Sequence, residues 1–171
     1  PYLEEFERSF AKSTNVSFAA GVSTGGAGLE CILRAVGVEG KEVIVPTDTF
    51  VASVFAVMRA GGIPVLADVD RATLSLSKST IEHLITDKTA AVMIVHMFGL
   101  MSPEIESIQS LCRDKEIVLI EDAAHAHGAS YRGELAGGLG DAAAFSMYAT
   151  KIITTGEGGV VTTNDRNLYE R

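Results

Sequence analysis

The segment IEDAAHAHGASYRG, residues 120–133, places Glu121, Asp122, His125 and His127 directly after the apolar run EIVLI. A charge at the end of a hydrophobic strand is costly to bury unless something partners it. Four partners suit Asp122: a metal ion, a catalytic histidine, a cationic cofactor, or the N-terminus of a helix. A metal needs several His, Cys or carboxylate ligands to converge. Two histidines spaced by two residues do not share a helix face, and only His83 and His96 remain elsewhere, so no metal site is expected. A Ser–His–Asp hydrolase is poorly served too, because there is no Gly-x-Ser-x-Gly elbow and Ser146 sits in AAFSMYA. A cationic ring nitrogen on a cofactor is the most economical partner for Asp122.

Three further loops carry residues of chemical interest. In GVSTGGAGLE, residues 21–30, the small residues Gly25, Gly26 and Ala27 precede a helical pattern. Free amides at a helix N-terminus can hold a phosphate, although the same residues also suit a tight strand-to-helix turn. The loop matches neither the P-loop nor the Gly-x-Gly-x-x-Gly fingerprint, which disfavours ATP and NAD. In PTDTFVAS, residues 46–53, Phe50 can stack on a planar ligand or belong to the core, while Thr47 and Asp48 read as helix caps. In AFSMYATKIITTGEGG, residues 144–159, Lys151 follows Ser146 by five residues. Such a lysine is either a solvated charge or the nucleophile of Schiff-base chemistry, if its surroundings keep part of it neutral. GEGG suits a tight turn into the last strand.

These loops need a scaffold. Short apolar runs recur along the chain: VSFAAGV, EVIVP, IPVLADV, AAVMIVHMFG, EIVLIEDA, DAAAFSM and GGVVTTN. Their length and branched residues suit strands buried on both faces. Between them lie GLECILRAVG, VASVFAVMRAGG, SKSTIEHLITDK and SPEIESIQSLCRDK, with caps and glycine stops at the expected helix ends. Residues 1–14 add an amphipathic helix through Leu3, Phe6 and Phe10. The alternation predicts a three-layer α/β/α domain on a mostly parallel seven-stranded sheet, whose last strand is free to run antiparallel. Ligands of such sheets sit beyond the carboxyl ends of the strands, where all four loops fall.

With 171 residues, 47% of them hydrophobic, the chain suffices for one domain with a sizeable core, and disorder is not expected. A net charge of −8 disfavours a nucleic-acid or anionic-membrane surface. No run of about 18 apolar residues marks a membrane span, and no basic-then-apolar leader opens the chain at Pro1. Cys31 and Cys112 each fall in a helix-like pattern and are expected as buried free thiols in a reducing cytoplasm.

Five stretches together carry a resemblance: FERSFAKSTNVSFAAGVSTGGAGLECIL, VIVPTDTFVASVFAVMRAGGIPVLADVD, VMIVHMFG, IEDAAHAHGASYRG and FSMYATKIITTGEGGVVTTND. In order, and through nearly the whole chain, they resemble the pyridoxal-phosphate (PLP) aminotransferases of fold type I, specifically the DegT/StrS sugar-nucleotide aminotransferase family. The resemblance implies roles by position. Lys151 would carry PLP covalently and move the proton between substrate carbon and cofactor. Asp122 would pair with the protonated pyridine nitrogen and keep the ring an electron sink. His125 would face the ring and its 3-oxygen, where the family often has Gln or His. Ser146 and the amides of Gly26 and Ala27 would hold the phosphate, and Phe50 would stack on the ring. The family usually has a Gly-Thr pair where this chain has Gly25-Gly26, so one hydroxyl contact to the phosphate is expected to be missing.

The resemblance also implies that residues 1–171 are the PLP-binding large domain, truncated, of a longer homodimeric enzyme. Family members run to more than twice this length, and their C-terminal part adds a small domain and substrate contacts. The implied activity is amino transfer from an amino acid donor, glutamate, to a nucleotide-linked keto-sugar, in amino-sugar biosynthesis for cell-envelope polysaccharide. In the family's sugar dehydratases His replaces the lysine, so Lys151 favours transfer. A PLP lyase or dehydratase on the same fold, or a catalytically silent truncated α/β module, are the competing readings.

Overall fold

The computed structural model describes residues 2–171; Pro1, first residue of the expected N-terminal helix, lies outside them. Helix α1 (Tyr2–Ser13) buries Phe10 and Ala11 and leads into β1 (Phe18–Val22). Helix α2 (Gly25–Val36) and strand β2 (Glu42–Pro46) follow, then α3 (Val51–Arg59) and β3 (Ile63–Ala67). A short α4 (Lys78–Ile81) precedes β4 (Thr89–Val95), and α5 (Ile105–Asp114) precedes β5 (Val118–Asp122). The small strands β6 (Ser130–Tyr131) and β7 (Glu134–Leu135) come next, followed by β8 (Ala142–Ser146), β9 (Gly159–Thr163) and α6 (Arg166–Glu170).

The seven expected strands form one sheet in the order β1-β9-β8-β5-β4-β2-β3. Strands β3, β2, β4, β5 and β8 pair in parallel, whereas β9 is antiparallel to both β8 and β1. The last strand therefore runs as the sequence allowed. Side chains of a strand alternate between faces, and the core divides accordingly. On one face Val43, Val45, Met93 and Ile120 pack against Leu29 and Leu33 of α2 and Val57 of α3. On the other, Ile44, Val92, Ile94 and Leu119 meet Ile105, Ile108 and Leu111 of α5. Each fully buried Val, Leu or Ile contributes about 1.5–3 kcal/mol, which suffices to hold both helix layers on the sheet. A third cluster joins Phe10 to Phe145 and Val160, with the two phenyl rings edge-on at 5.1 Å.

Three local expectations are corrected. Helix α2 begins at Gly25, inside the expected loop, because Thr24 Oγ1 accepts the Ala27 amide at 3.0 Å and caps it there. The helix expected through SKSTIEHLITDK is only the single turn of α4 and a 3-10 turn over 82–84. Ser77 and Thr80 start it with a reciprocal capping box, but Ile85 is already extended, and the Thr86 amide donates to Thr89 Oγ1 as the chain turns into β4. Cys112 is buried as expected, but Cys31 is exposed: it lies on the outward side of α2, whose inward side is Gly28, Leu29, Ile32 and Leu33. Among the described residues no helix is long and apolar enough to cross a membrane.

Candidate active site

Strand alternation gives the acidic pair two separate tasks. Glu121 points to the α5 face, where it is completely buried. Its carboxylate accepts the amides of Gly137, Leu139 and Gly140 at 2.7–2.9 Å and lies 2.9 Å from His96 Nε2. Glu121 thus ties the loop before β8 to the ends of β4 and β5. Asp122 points the other way, into a cavity of about 870 Å³ at the carboxyl edge of the parallel strands. It is only 7% exposed. Ala124 N–H donates to its Oδ1 at 3.1 Å and the Ser53 hydroxyl to its Oδ2 at 2.7 Å. Yet no cationic side chain forms an ion pair with it among the described residues. A buried carboxylate that is hydrogen-bonded but lacks a counter-ion, and faces an open cavity, calls for a cationic ligand.

Lys151 reaches the same cavity from the loop after β8. That loop folds on itself: the Lys151 amide donates to the Tyr148 carbonyl and Thr155 N–H to the Met147 carbonyl. Partial burial holds the Lys151 amine below the ordinary lysine range, with the Asp122 charge pulling the other way. Desolvation of this kind raises the fraction of free amine and hence nucleophilicity. GEGG makes the expected turn, with Gly156 at φ 83° and Gly158 at φ 156°.

The two histidines part company. His125 lines the cavity, while His127 turns inward, its ring 5.2 Å from that of Phe145. Neither His127 ring nitrogen finds a hydrogen-bond partner among the described residues. His125 Nδ1 accepts the Phe98 amide at 3.3 Å, which leaves the proton on Nε2. The Phe98 ring stacks on the imidazole at 5.9 Å and 13°. To do so Phe98 adopts φ 54°, a left-handed conformation uncommon for a bulky residue. Burial lowers the His125 pKa, Lys151 lowers it further, and Asp122 opposes both. Among the described residues no group of three or more His, Cys, Asp and Glu is placed to hold a metal.

The glycine-rich loop makes the tight strand-to-helix turn and also brings its small residues to the cavity. A Cβ at Gly25 would come within 2.9 Å of the Ser146 Cβ, and one at Gly159 within 2.6 Å of the Thr24 carbonyl carbon. Glycine there lets the α2 turn press onto the ends of β8 and β9. Gly26 and Ala27, by contrast, line the cavity beside Ser146. The Ala27 amide already donates to Thr24, so among these groups the Gly26 amide and the Ser146 hydroxyl are the freer donors. Phe50, 71% exposed, stands at the cavity wall and is not core. Thr47 and Asp48 do not cap α3: Phe50 occupies the N-cap position with no side-chain bond, and the Thr47 amide pairs with Ala67. Sequence reasoning missed Thr49 and Ser53, whose hydroxyls lie 2.7 Å apart behind Asp122. Thr49 precedes the N-cap Phe50 and Ser53 lies in the first turn of α3, so no helical periodicity signals the pair in the sequence.

The three-layer, mostly parallel seven-stranded domain, with a lysine and a carboxylate on one cavity at its carboxyl edge, has the fold of the type I aminotransferase structures. The chain belongs to the DegT/DnrJ/EryC1/StrS aminotransferase family, whose sequence model matches residues 1–171. It is 44% identical to GDP-perosamine synthase of Escherichia coli O157:H7 over 99% of this chain and 47% of that protein. It is 42% identical to dTDP-3-amino-3,6-dideoxy-alpha-D-galactopyranose transaminase of Aneurinibacillus thermoaerophilus, over 99% of this chain and 47% of that protein. The aminotransferase from Psychrobacter cryohalolentis superposes with a TM-score of 0.94 at 38% identity, over 98% of this chain and 42% of that one. The chain spans less than half the length of the curated relatives it matches.

Proposed function

We propose that the complete protein is a PLP-dependent aminotransferase that moves an amino group from glutamate to a nucleotide-linked keto-sugar in amino-sugar biosynthesis, and that residues 1–171 are its cofactor-binding large domain. The observation that carries this reading is Asp122, a buried carboxylate that forms no ion pair among the described residues, set on one cavity with a partly desolvated lysine. The residues fit the cofactor: an anion for its ring nitrogen, an amine for its aldehyde, and the Gly26 amide and Ser146 hydroxyl for its phosphate, with Ala27 adding its amide only if Thr24 yields it. When bound, PLP supplies an electron sink for charge left on the substrate carbon. Asp122 holds the ring nitrogen charged. Lys151 would hold the cofactor through Nζ, and the same amine would serve as the group that gives and takes a proton at the substrate carbon. His125 offers Nε2–H to an oxygen in the cavity, and Phe50 covers the ring and excludes water from one side.

The relatives' names, a GDP-sugar synthase and a dTDP-sugar transaminase, support a nucleotide-linked sugar as acceptor. Exposed apolar residues around the site, among them Phe50, Phe55, Phe98 and Ile152, support a homodimer that covers them. The exposed free thiol of Cys31 supports a reducing, cytoplasmic setting. The test is direct. Given glutamate and a nucleotide keto-sugar, the complete protein should release 2-oxoglutarate in step with aminated sugar. Deoxygenated sugar, or no dependence on an amino donor, would contradict the reading.

A further inference from the structure

Behind Asp122 runs a chain of hydroxyls that starts at Thr49 on the cavity wall and passes inward through Ser53, which does not line the cavity. Ser53, in the first turn of α3, is completely buried, and its Oγ donates to Asp122 Oδ2 at 2.7 Å. A hydroxyl has one hydrogen to give. With that hydrogen on Asp122, the 2.7 Å contact between Thr49 Oγ1 and Ser53 Oγ must be donated by Thr49. The other contact open to the Thr49 hydroxyl, the Phe50 carbonyl at 3.4 Å, is longer and weaker. The chain therefore runs one way, Thr49 to Ser53 to Asp122, and ends on an anion, the arrangement in which successive hydrogen bonds strengthen one another. The remaining carboxylate oxygen is fixed by Ala124 N–H at 3.1 Å. Each oxygen of Asp122 thus has one partner on the protein side, from two different elements, and its other lone pairs are left to the cavity.

A hydroxyl buried among Ala56 and Val57 is a cost unless it is paired, and alanine would fill the helix more cheaply. We propose that Ser53, backed by Thr49, is a positioning residue that orients the Asp122 carboxylate and thereby sets its grip on the cofactor's ring nitrogen. The proposal rests on the PLP reading above.

The test compares two probes in the complete protein: PLP, and its carbocyclic analogue in which a CH replaces the ring nitrogen while aldehyde and phosphate remain. Ser53→Ala should weaken PLP by about tenfold, the scale of one hydrogen bond to a charged group, and change the analogue's affinity less than twofold. Ser53→Thr keeps a hydroxyl and should restore PLP binding. Thr49→Val, which leaves the Ser53 contact in place, should shift PLP alone by a smaller factor in the same sense. In an Asp122→Asn background the effect of Ser53→Ala should vanish. Equal weakening of both probes, or an effect that survives Asp122→Asn, would mean that Ser53 only packs and would overturn the proposal alone. A wild-type protein that binds neither probe would overturn the cofactor reading, and the proposal with it.

Discussion

At the scale of single residues, the site rests on environments rather than on residue types. His125 and His127 are two residues apart, yet one meets the cavity and the other a phenyl ring. His125 is held by Phe98, which donates its amide to Nδ1 and covers the ring. The Nε2–H tautomer should therefore dominate near neutral pH, and nitrogen-15 NMR of labelled histidine should show it. The sign of the pH effect follows from burial. As pH falls below the ordinary histidine range, the unfolded chain takes up a proton that folded His125 accepts only at lower pH, so stability drops across that window. Phe98→Ala exposes the ring, and should move the His125 titration upward toward the ordinary value. An unchanged titration would show that Phe98 does not shield the imidazole.

At the scale of elements, strand β5 separates structure from chemistry by alternation. Glu121 was legible in the sequence only as half of an acidic pair, since the amides it collects at Gly137, Leu139 and Gly140 lie far along the chain. Glu121→Ala leaves those buried donors and His96 unpartnered, which should cost about 1–3 kcal/mol for each group left unsatisfied. Denaturant unfolding reads this, and a cost under about 1 kcal/mol, the level of an ordinary hydrogen bond, would contradict the structural role. The thiols offer a second check on the layers. Burial foremost, then the Asp141 charge, pushes the Cys112 thiol up to about 12, so at mildly alkaline pH an alkylating reagent should label the exposed Cys31 and spare Cys112 until the protein unfolds. Two reactive thiols in the native state would show that α5 is not packed as described.

At the scale of the whole molecule, the strands were largely legible as seven apolar runs, and the helical segments between most of them pointed to parallel pairing, but the expected cover on both faces holds for the central strands and fails at the edge, where β3 exposes Ile63 and Leu66. The small β6–β7 ribbon escaped notice: its turn places Arg132 and Gly133 at φ 51° and 89°, and an Arg-Gly pair is a weak signal for a turn that Asn-Gly usually marks. The site was legible loop by loop, since each candidate follows a strand, but the hydroxyls at Thr49 and Ser53 were not, because their partner Asp122 is distant in sequence. The central question for the molecule is whether these separate loops build one cofactor site. The measurement that tests this most directly is borohydride reduction of the complete protein after mixing with PLP, followed by peptide mass mapping. We expect one added phosphopyridoxyl group, located on Lys151, and none in Lys151→Ala, which should still bind PLP reversibly through Asp122 and the phosphate contacts. Labelling scattered over surface lysines, or unchanged labelling in Lys151→Ala, would contradict this expectation.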